Sequence, residues 1–217
     1  MASRLKNVRV PAPRKGGCLV DMKAPANGHA PVAAPAPSVP LKLNLGSGKS
    51  KMEGFLSVDA IKFDGVDVVT DLRKRWPWED ESVEEIYCSH FAEHLEARER
   101  VHFYNELHRV LKVGAKCTLI VPDGRSGRAY GDLTHKWPPY WPFHFFYLSK
   151  AWRTDNAPHD DTRWNPDGLS CDFAVTWGHS LRQDLLVRSQ EYQQYAMMNY
   201  VEAAQDCIAT MVKQGPT

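Results

Sequence analysis

The sequence predicts an α/β protein with a mainly parallel sheet, helices on both faces and an aromatic-rich C-terminal cap. Three observations predict it. Short apolar runs alternate with helical or crossover segments from Leu41 to Asp123, the pattern of a parallel sheet. Those runs end in polar or turn residues, namely Gly46, Asp59, Asp71, Ser89 and Asp123. In parallel sheets, ligands sit outside the carboxyl ends of the strands. The first run also closes on Gly46-Ser47-Gly48, a turn whose glycines let backbone approach a ligand.

Leu41-Leu43-Leu45 forms the first strand, and Phe55-Leu56-Val58 the second, ending at Asp59. Val66 to Val69 is a third β-branched run, followed by Thr70-Asp71-Leu72, Trp76-Pro77-Trp78 and an acidic loop to Ser82. Glu85 to Ser89 is the fourth strand, with His90-Phe91-Ala92-Glu93-His94-Leu95 directly after it. From about Glu96 to Lys112 the pattern is helical, with Val101, Tyr104, Leu107 and Leu111 on one face. Gly114 is the expected left-handed stop, and Lys116 to Val121 the fifth strand. In the remainder, Trp137 to Tyr147 is too rich in prolines and rings for a regular helix. It reads equally as a lid over a pocket or as a secondary core. Cys171 to Leu181 alternates like a late strand. Arg188 to Lys213 reads as a helix, with Tyr195, Met198, Val201, Ala204, Ile208 and Met211 as its core stripe.

The glycine turn followed by an acid at the tip of the next strand suits a nucleoside-containing cofactor, because a carboxylate can accept bonds from both ribose hydroxyls. A nicotinamide fingerprint needs a third glycine and an acid about 20 residues on. Position 51 is lysine, and Asp59 follows Gly46 by 13 residues, too few for a full intervening helix. A cofactor without a pyrophosphate, such as S-adenosylmethionine, fits better.

Six segments in order resemble the class I S-adenosylmethionine-dependent methyltransferases: Leu43 to Gly48, Gly54 to Asp59, Asp71-Leu72, Trp76 to Ser82, Ser89 to Leu95, and Arg109 to Gly114. The family's second glycine after Arg109-Val-Leu-Lys is replaced by Ala115. The resemblance implies a Rossmann-like methyltransferase sheet and S-adenosylmethionine as cofactor. It further implies that Gly46, Ser47 and Gly48 contact the methionine part, Asp59 holds the ribose and Ala60 lies beside the adenine. Asp71 would accept the adenine amine, with Leu72 offering backbone, while Ser89 and His90 line the methyl-donor side. Asn44 stands where the family carries an acid, which removes a charge near the methionine ammonium. Gly131-Asp132-Leu133-Thr134-His135 before the aromatic run is similar to a phage-type methyltransferase pattern.

His135, His94 and Asp132 are the candidate bases, should the acceptor have to lose a proton. His90-x-x-Glu93-His94 matches a zinc pattern and, in part, a Glu-x-x-Glu-His metal motif of some methyltransferases. His90 sits at a strand end rather than inside a helix, and no closed ligand set is visible, so no metal is expected. The sequence lacks the Asp/Asn-Pro-Pro-Tyr/Phe mark of amino-directed DNA methyltransferases, a Pro-Cys nucleophile, a G-x-S-x-G and a P-loop.

The 217 residues suit one domain with an appended arm. Residues 1–40 hold seven of the fifteen prolines and a net charge of +5, which leaves −4 for the rest. They read as a disordered, basic, Ala/Pro-rich arm. Residues 41–217 form the methyltransferase-like domain, with a cofactor-binding half at 41–123 and a variable substrate half at 124–217. An acidic body puts a small-molecule acceptor ahead of nucleic acid. The five scattered cysteines contain no C-x-x-C, and no apolar run approaches a membrane span. A cytoplasmic setting with reduced thiols is expected.

Overall fold

A computed structural model describes residues 40–216. The arm expected over residues 1–40 lies outside the described residues, apart from Pro40. Seven strands form one sheet: β1 Lys42–Leu45, β2 Leu56–Asp59, β3 Val68–Val69, β4 Val83–Ser89, β5 Leu111–Pro122, β6 Phe173–Leu181 and β7 Ala204–Lys213. Their spatial order is β3-β2-β1-β4-β5-β7-β6. The first five are mutually parallel, and β7 runs antiparallel between β5 and β6. The described residues also form four α-helices, α1 Ala97–Val110, α2 Arg128–Gly131, α3 Lys150–Asn156 and α4 Gln190–Asn199, and three short 3-10 helices.

Alternation builds the core. Leu43, Leu45, Ile86, Cys88, Cys117, Leu119, Val121, Cys207, Ala209 and Met211 are all fully buried. The registers set them side by side on one face of the sheet. The apolar stripe of α1, with Phe103, Leu107 and Val110 also buried, joins the same core. The start of α1 is fixed by a reciprocal capping box between Glu96 and Glu99. At its other end, Arg109 grips both Glu106 oxygens at 2.7 Å and donates to the carbonyls of Trp76 and Trp78. That grip locks the Trp-Pro-Trp loop onto the helix, with Trp76 only 2% exposed.

Two expectations need correction. The helix expected over 188–213 is a shorter helix, α4, followed by strand β7. Ala204, Ile208 and Met211 satisfy a helical spacing, but the β-branched stretch from Ile208 to Val212 alternates, with Cys207, Ala209, Met211 and Lys213 buried. Tyr195, Met198 and Val201 of the supposed core stripe are exposed. Gly114 does have positive φ, at +80°, but it does not end the helix. α1 stops at Val110, and Gly114 turns the chain inside β5, where Val83 pairs with Leu111 and Glu85 with Lys116. Of the aromatic segment, Tyr140, Phe145 and Leu148 enter the main core, whereas Trp137 and Phe143 are exposed. Pro142–Leu148 winds as a 3-10 helix.

Candidate functional site

The carboxyl edge of β1, β2 and β4 gathers most of the residues the sequence singles out. After β1, Ser47 donates its amide to the Val58 carbonyl, and the Asn44 side chain donates to the Ser50 carbonyl, closing the loop. Asn44 thus holds the turn from below, 5% exposed. The Asp59 carboxylate spans the same turn, accepting from the Gly48 amide at 2.8 Å with one oxygen and from the Ile61 amide at 2.9 Å with the other. Each oxygen keeps a lone pair for a further donor.

The two glycines differ. Both have positive φ, +63° at Gly46 and +53° at Gly48. A Cβ on Gly46 would lie 2.5 Å from the Phe91 side chain, so the glycine here leaves room for Phe91. At Gly48 the corresponding space is open.

A cavity of about 420 Å³ lies at this edge, and Asn44, Gly46, Ser47, Tyr87, Ser89 and His90 are among its walls. One wall residue, Ser47, has a buried hydroxyl without a hydrogen-bond partner, which costs free energy unless a bound group supplies one. An orphaned hydroxyl beside an open glycine fits the polar end of a bound cofactor.

Farther along the edge, Ala60 is exposed and Asp71 half-buried. Both Asp71 oxygens are engaged by the Arg73 guanidinium at 2.9 and 3.1 Å, and this bond holds the carboxyl below its ordinary pKa. Leu72 is a core residue whose carbonyl accepts from the Trp76 indole.

Beyond β4 the backbone is unusual. His90 has φ +54°, sparsely populated for a non-glycine residue. Its Nδ1 lies 3.2 Å from Glu93 Oε1, and that bond raises the His90 pKa against the opposing effect of burial. Glu93 is 4% exposed, and its other oxygen is unpartnered.

The three candidate bases come together across the loop after α2. The His94 and His135 rings meet edge-on with centroids 4.8 Å apart. The Thr134 hydroxyl bridges Asp132 Oδ1 at 2.7 Å and His94 Nδ1 at 2.9 Å. His135 Nδ1 lies 3.1 Å from the Ala129 carbonyl. Donation there leaves Nε2 as the acceptor, 3.9 Å from Asp132 Oδ2. Asp132 and His135 line a cavity of about 240 Å³ with Tyr130 and Trp137.

Reading the sequence alone missed Phe91 under Gly46, the buried Glu93 oxygen, and Asp206, which receives Arg128 at 3.0 Å and the Ser180 hydroxyl at 2.8 Å. Taking 204–213 as helix hid the last of these. Its β-branched alternation was the available signal.

The sheet order and the loops gathered at its carboxyl edge define a Rossmann-like fold. Residues 47–119 match a family model described as a methyltransferase domain, about a third of the chain. No curated protein matches the chain. Among solved structures, a SAM-dependent methyltransferase from Archaeoglobus fulgidus is similar, with 18% identity over 81% of this chain and 87% of that one, at a TM-score of 0.57. Geranyl diphosphate C-methyltransferase from Streptomyces coelicolor, solved with Mg²⁺, geranyl diphosphate and S-adenosylhomocysteine, shares 11% identity over 80% of this chain and 72% of its own, at 0.47. The chain carries a methyltransferase domain over residues 47–119, on the fold of the S-adenosylmethionine-dependent methyltransferase structure. It transfers a methyl group from S-adenosylmethionine to an acceptor.

Proposed function

We propose that the cofactor lies along the carboxyl edge of β1, β2 and β4, and that the acceptor is a small molecule entering beside the aromatic segment. The observation that carries the first part is the cavity walled by Asn44, Gly46, Ser47, Ser89 and His90, with the partnerless Ser47 hydroxyl buried in its wall. Bound there, S-adenosylmethionine supplies an already activated methyl group on a sulfonium. Ser47 and the open backbone at Gly48 hold its methionine part. Asp59, already fixed by two amides, orients the ribose hydroxyls. Asp71 shares its carboxylate between Arg73 and the adenine amine, with Ala60 and Leu72 alongside. Ser89 and His90 close the methyl side.

The protein's further work is to place a nucleophile and exclude water. His135 Nε2, with the Asp132 carboxylate 3.9 Å from it and the His94 ring edge-on, is the group to take a proton where the acceptor carries one. The adjoining cavity, about 240 Å³, falls below the roughly 300–1,000 Å³ of drug-sized ligand clefts. That size favours a small acceptor over a polymer. Four described cysteines are free and buried, in keeping with a reducing, cytoplasmic setting. No described helix is long and apolar enough to cross a membrane.

Titration calorimetry tests the cofactor site. S-adenosylmethionine and S-adenosylhomocysteine should bind and NAD should not. Asp59→Ala should abolish both signals, and unchanged affinity in that variant would remove the ribose role.

A further inference from the structure

We propose that Asp123, His179 and Cys207 form a binding site for a borderline-soft divalent cation, zinc above all. The three come from three adjacent strands at the carboxyl edge of the sheet, outside the cofactor and base positions. Asp123 follows the last residue of β5. His179 of β6 and Cys207 of β7 are directly opposed in register, and Cys207 also opposes Val121 of β5. Backbone pairing therefore fixes all three positions, the rigid support a coordination site needs.

The distances match the face of a tetrahedron. Asp123 Oδ2 lies 3.2 Å from His179 Nδ1 and 3.2 Å from Cys207 Sγ, and the sulfur lies 3.7 Å from that nitrogen. Zinc bonds of about 2.0–2.1 Å to nitrogen or oxygen and about 2.3 Å to sulfur put neighbouring tetrahedral ligands about 3.3–3.6 Å apart. The three atoms stand within a few tenths of an ångström of that spacing, so an ion needs little movement to enter. Three protein ligands leave a fourth position for water or another small ligand.

The surroundings suit a cation. Asp123 and Cys207 are wholly buried. The second Asp123 oxygen is held by the Arg125 amide at 2.9 Å and its Nε at 3.3 Å, the kind of outer contact that orients a ligating carboxylate. Binding of a dication would expel the thiol proton and move the His179 proton from Nδ1 to Nε2. The 2+ charge would then meet one thiolate and one carboxylate, so the ion and its ligands sum to zero charge. A cysteine nucleophile fits the geometry less well. The sulfhydryl donates to Asp123 rather than to the imidazole, and burial together with Asp123 pushes the thiol pKa up, the reverse of activation.

The test is a Co²⁺ titration of the full, untagged, chelator-stripped chain followed by absorption spectroscopy. One equivalent should give a near-ultraviolet sulfur-to-cobalt band with intense visible bands, and Zn²⁺ should bleach both. Cys207→Ser should remove the sulfur band, while Cys171→Ser, at another buried thiol, should keep it. His179→Ala should weaken cobalt binding by at least the roughly 10–100-fold that loss of an outer-shell partner costs. The proposal is overturned if the wild-type chain shows no sulfur band, if the band survives Cys207→Ser, or if His179→Ala binds as tightly. The other cluster of candidate donors, Glu93, His94 and His135, contains no sulfur. Cobalt there would give visible bands alone, which also counts against the proposal.

Discussion

Gly46 and Gly48 stand two residues apart in the same turn, both in left-handed backbone, yet they serve different neighbours. An alanine at either position carries the left-handed cost of about 1–2 kcal/mol. At Gly46 it also meets Phe91 at 2.5 Å, and such overpacking adds about 1–3 kcal/mol. Chemical denaturation should therefore show Gly46→Ala to be the more damaging by that increment, with part of the difference recovered in Gly46→Ala/Phe91→Ala. Equal losses at the two glycines would contradict the packing role. His90 offers a second residue-scale measurement. Its pKa is raised above the ordinary 6.5, chiefly by the bond to Glu93. The linked stabilisation is fully present below pH 6.5 and is lost as pH rises through the elevated folded value. The side chain is 46% exposed, so solvent screening keeps the effect small. An NMR titration should place His90 above 6.5 in the wild-type chain and lower in Glu93→Gln; coincident curves would show that the pair does not form.

Among the elements, the variable C-terminal part depends on one buried ion pair. Arg153 of α3 is fully buried and donates to Asp161 at 2.9 Å, to the Tyr147 carbonyl at 2.6 Å and to the Cys171 carbonyl at 2.7 Å. It thereby ties the 3-10 segment, α3 and the lead into β6 together. Arg153→Ala leaves Asp161 to Arg163, which holds its two oxygens at 2.8 and 3.2 Å, but strips the Tyr147 and Cys171 carbonyls of their donor and should cost about 1–3 kcal/mol. A denaturation midpoint that barely moves would refute the tie. Arg153→Lys should rescue only part of the loss, because an ammonium cannot reproduce a planar fork. Much of this scale was legible in the chain. β1, β2, β4 and α1 were marked by local signals: alternation, polar strand ends and a three-and-four stripe. β7 was not, because Ala204, Ile208 and Met211 fit a helical repeat, and its antiparallel place between β5 and β6 depends on partners far away in sequence. Arg153 was equally invisible, since nothing local announces that an exposed-looking arginine will be buried by a loop and a strand.

For the whole molecule, the parallel strands and the reversed β7 bring the ends of β1, β2, β4, β5 and β6 and the start of β7 to one edge. That is why residues from 44 to 206 can meet. The first half of this edge could be read from the sequence, as each turn follows its strand immediately. The second half could not, because His179, Cys207 and Asp206 arrive only through strand pairing. A cofactor held across β1, β2 and β4 contacts turns from separate strands and stabilises only the assembled sheet, since an unfolded chain offers no such edge. By linkage, S-adenosylhomocysteine at 100 times its Kd should add about 2.7 kcal/mol. For a chain of this size that is a rise of roughly 5–10 °C in Tm. Asp59→Ala should lower the ligand-free Tm slightly, through loss of the bonds to Gly48 and Ile61, and should remove the ligand-dependent rise. A rise of equal size in that variant would mean that the ligand binds away from this edge. The same scan with NAD at matched concentration should leave Tm unchanged, because the turn after β1 leads to no helix whose N-terminus could hold a pyrophosphate.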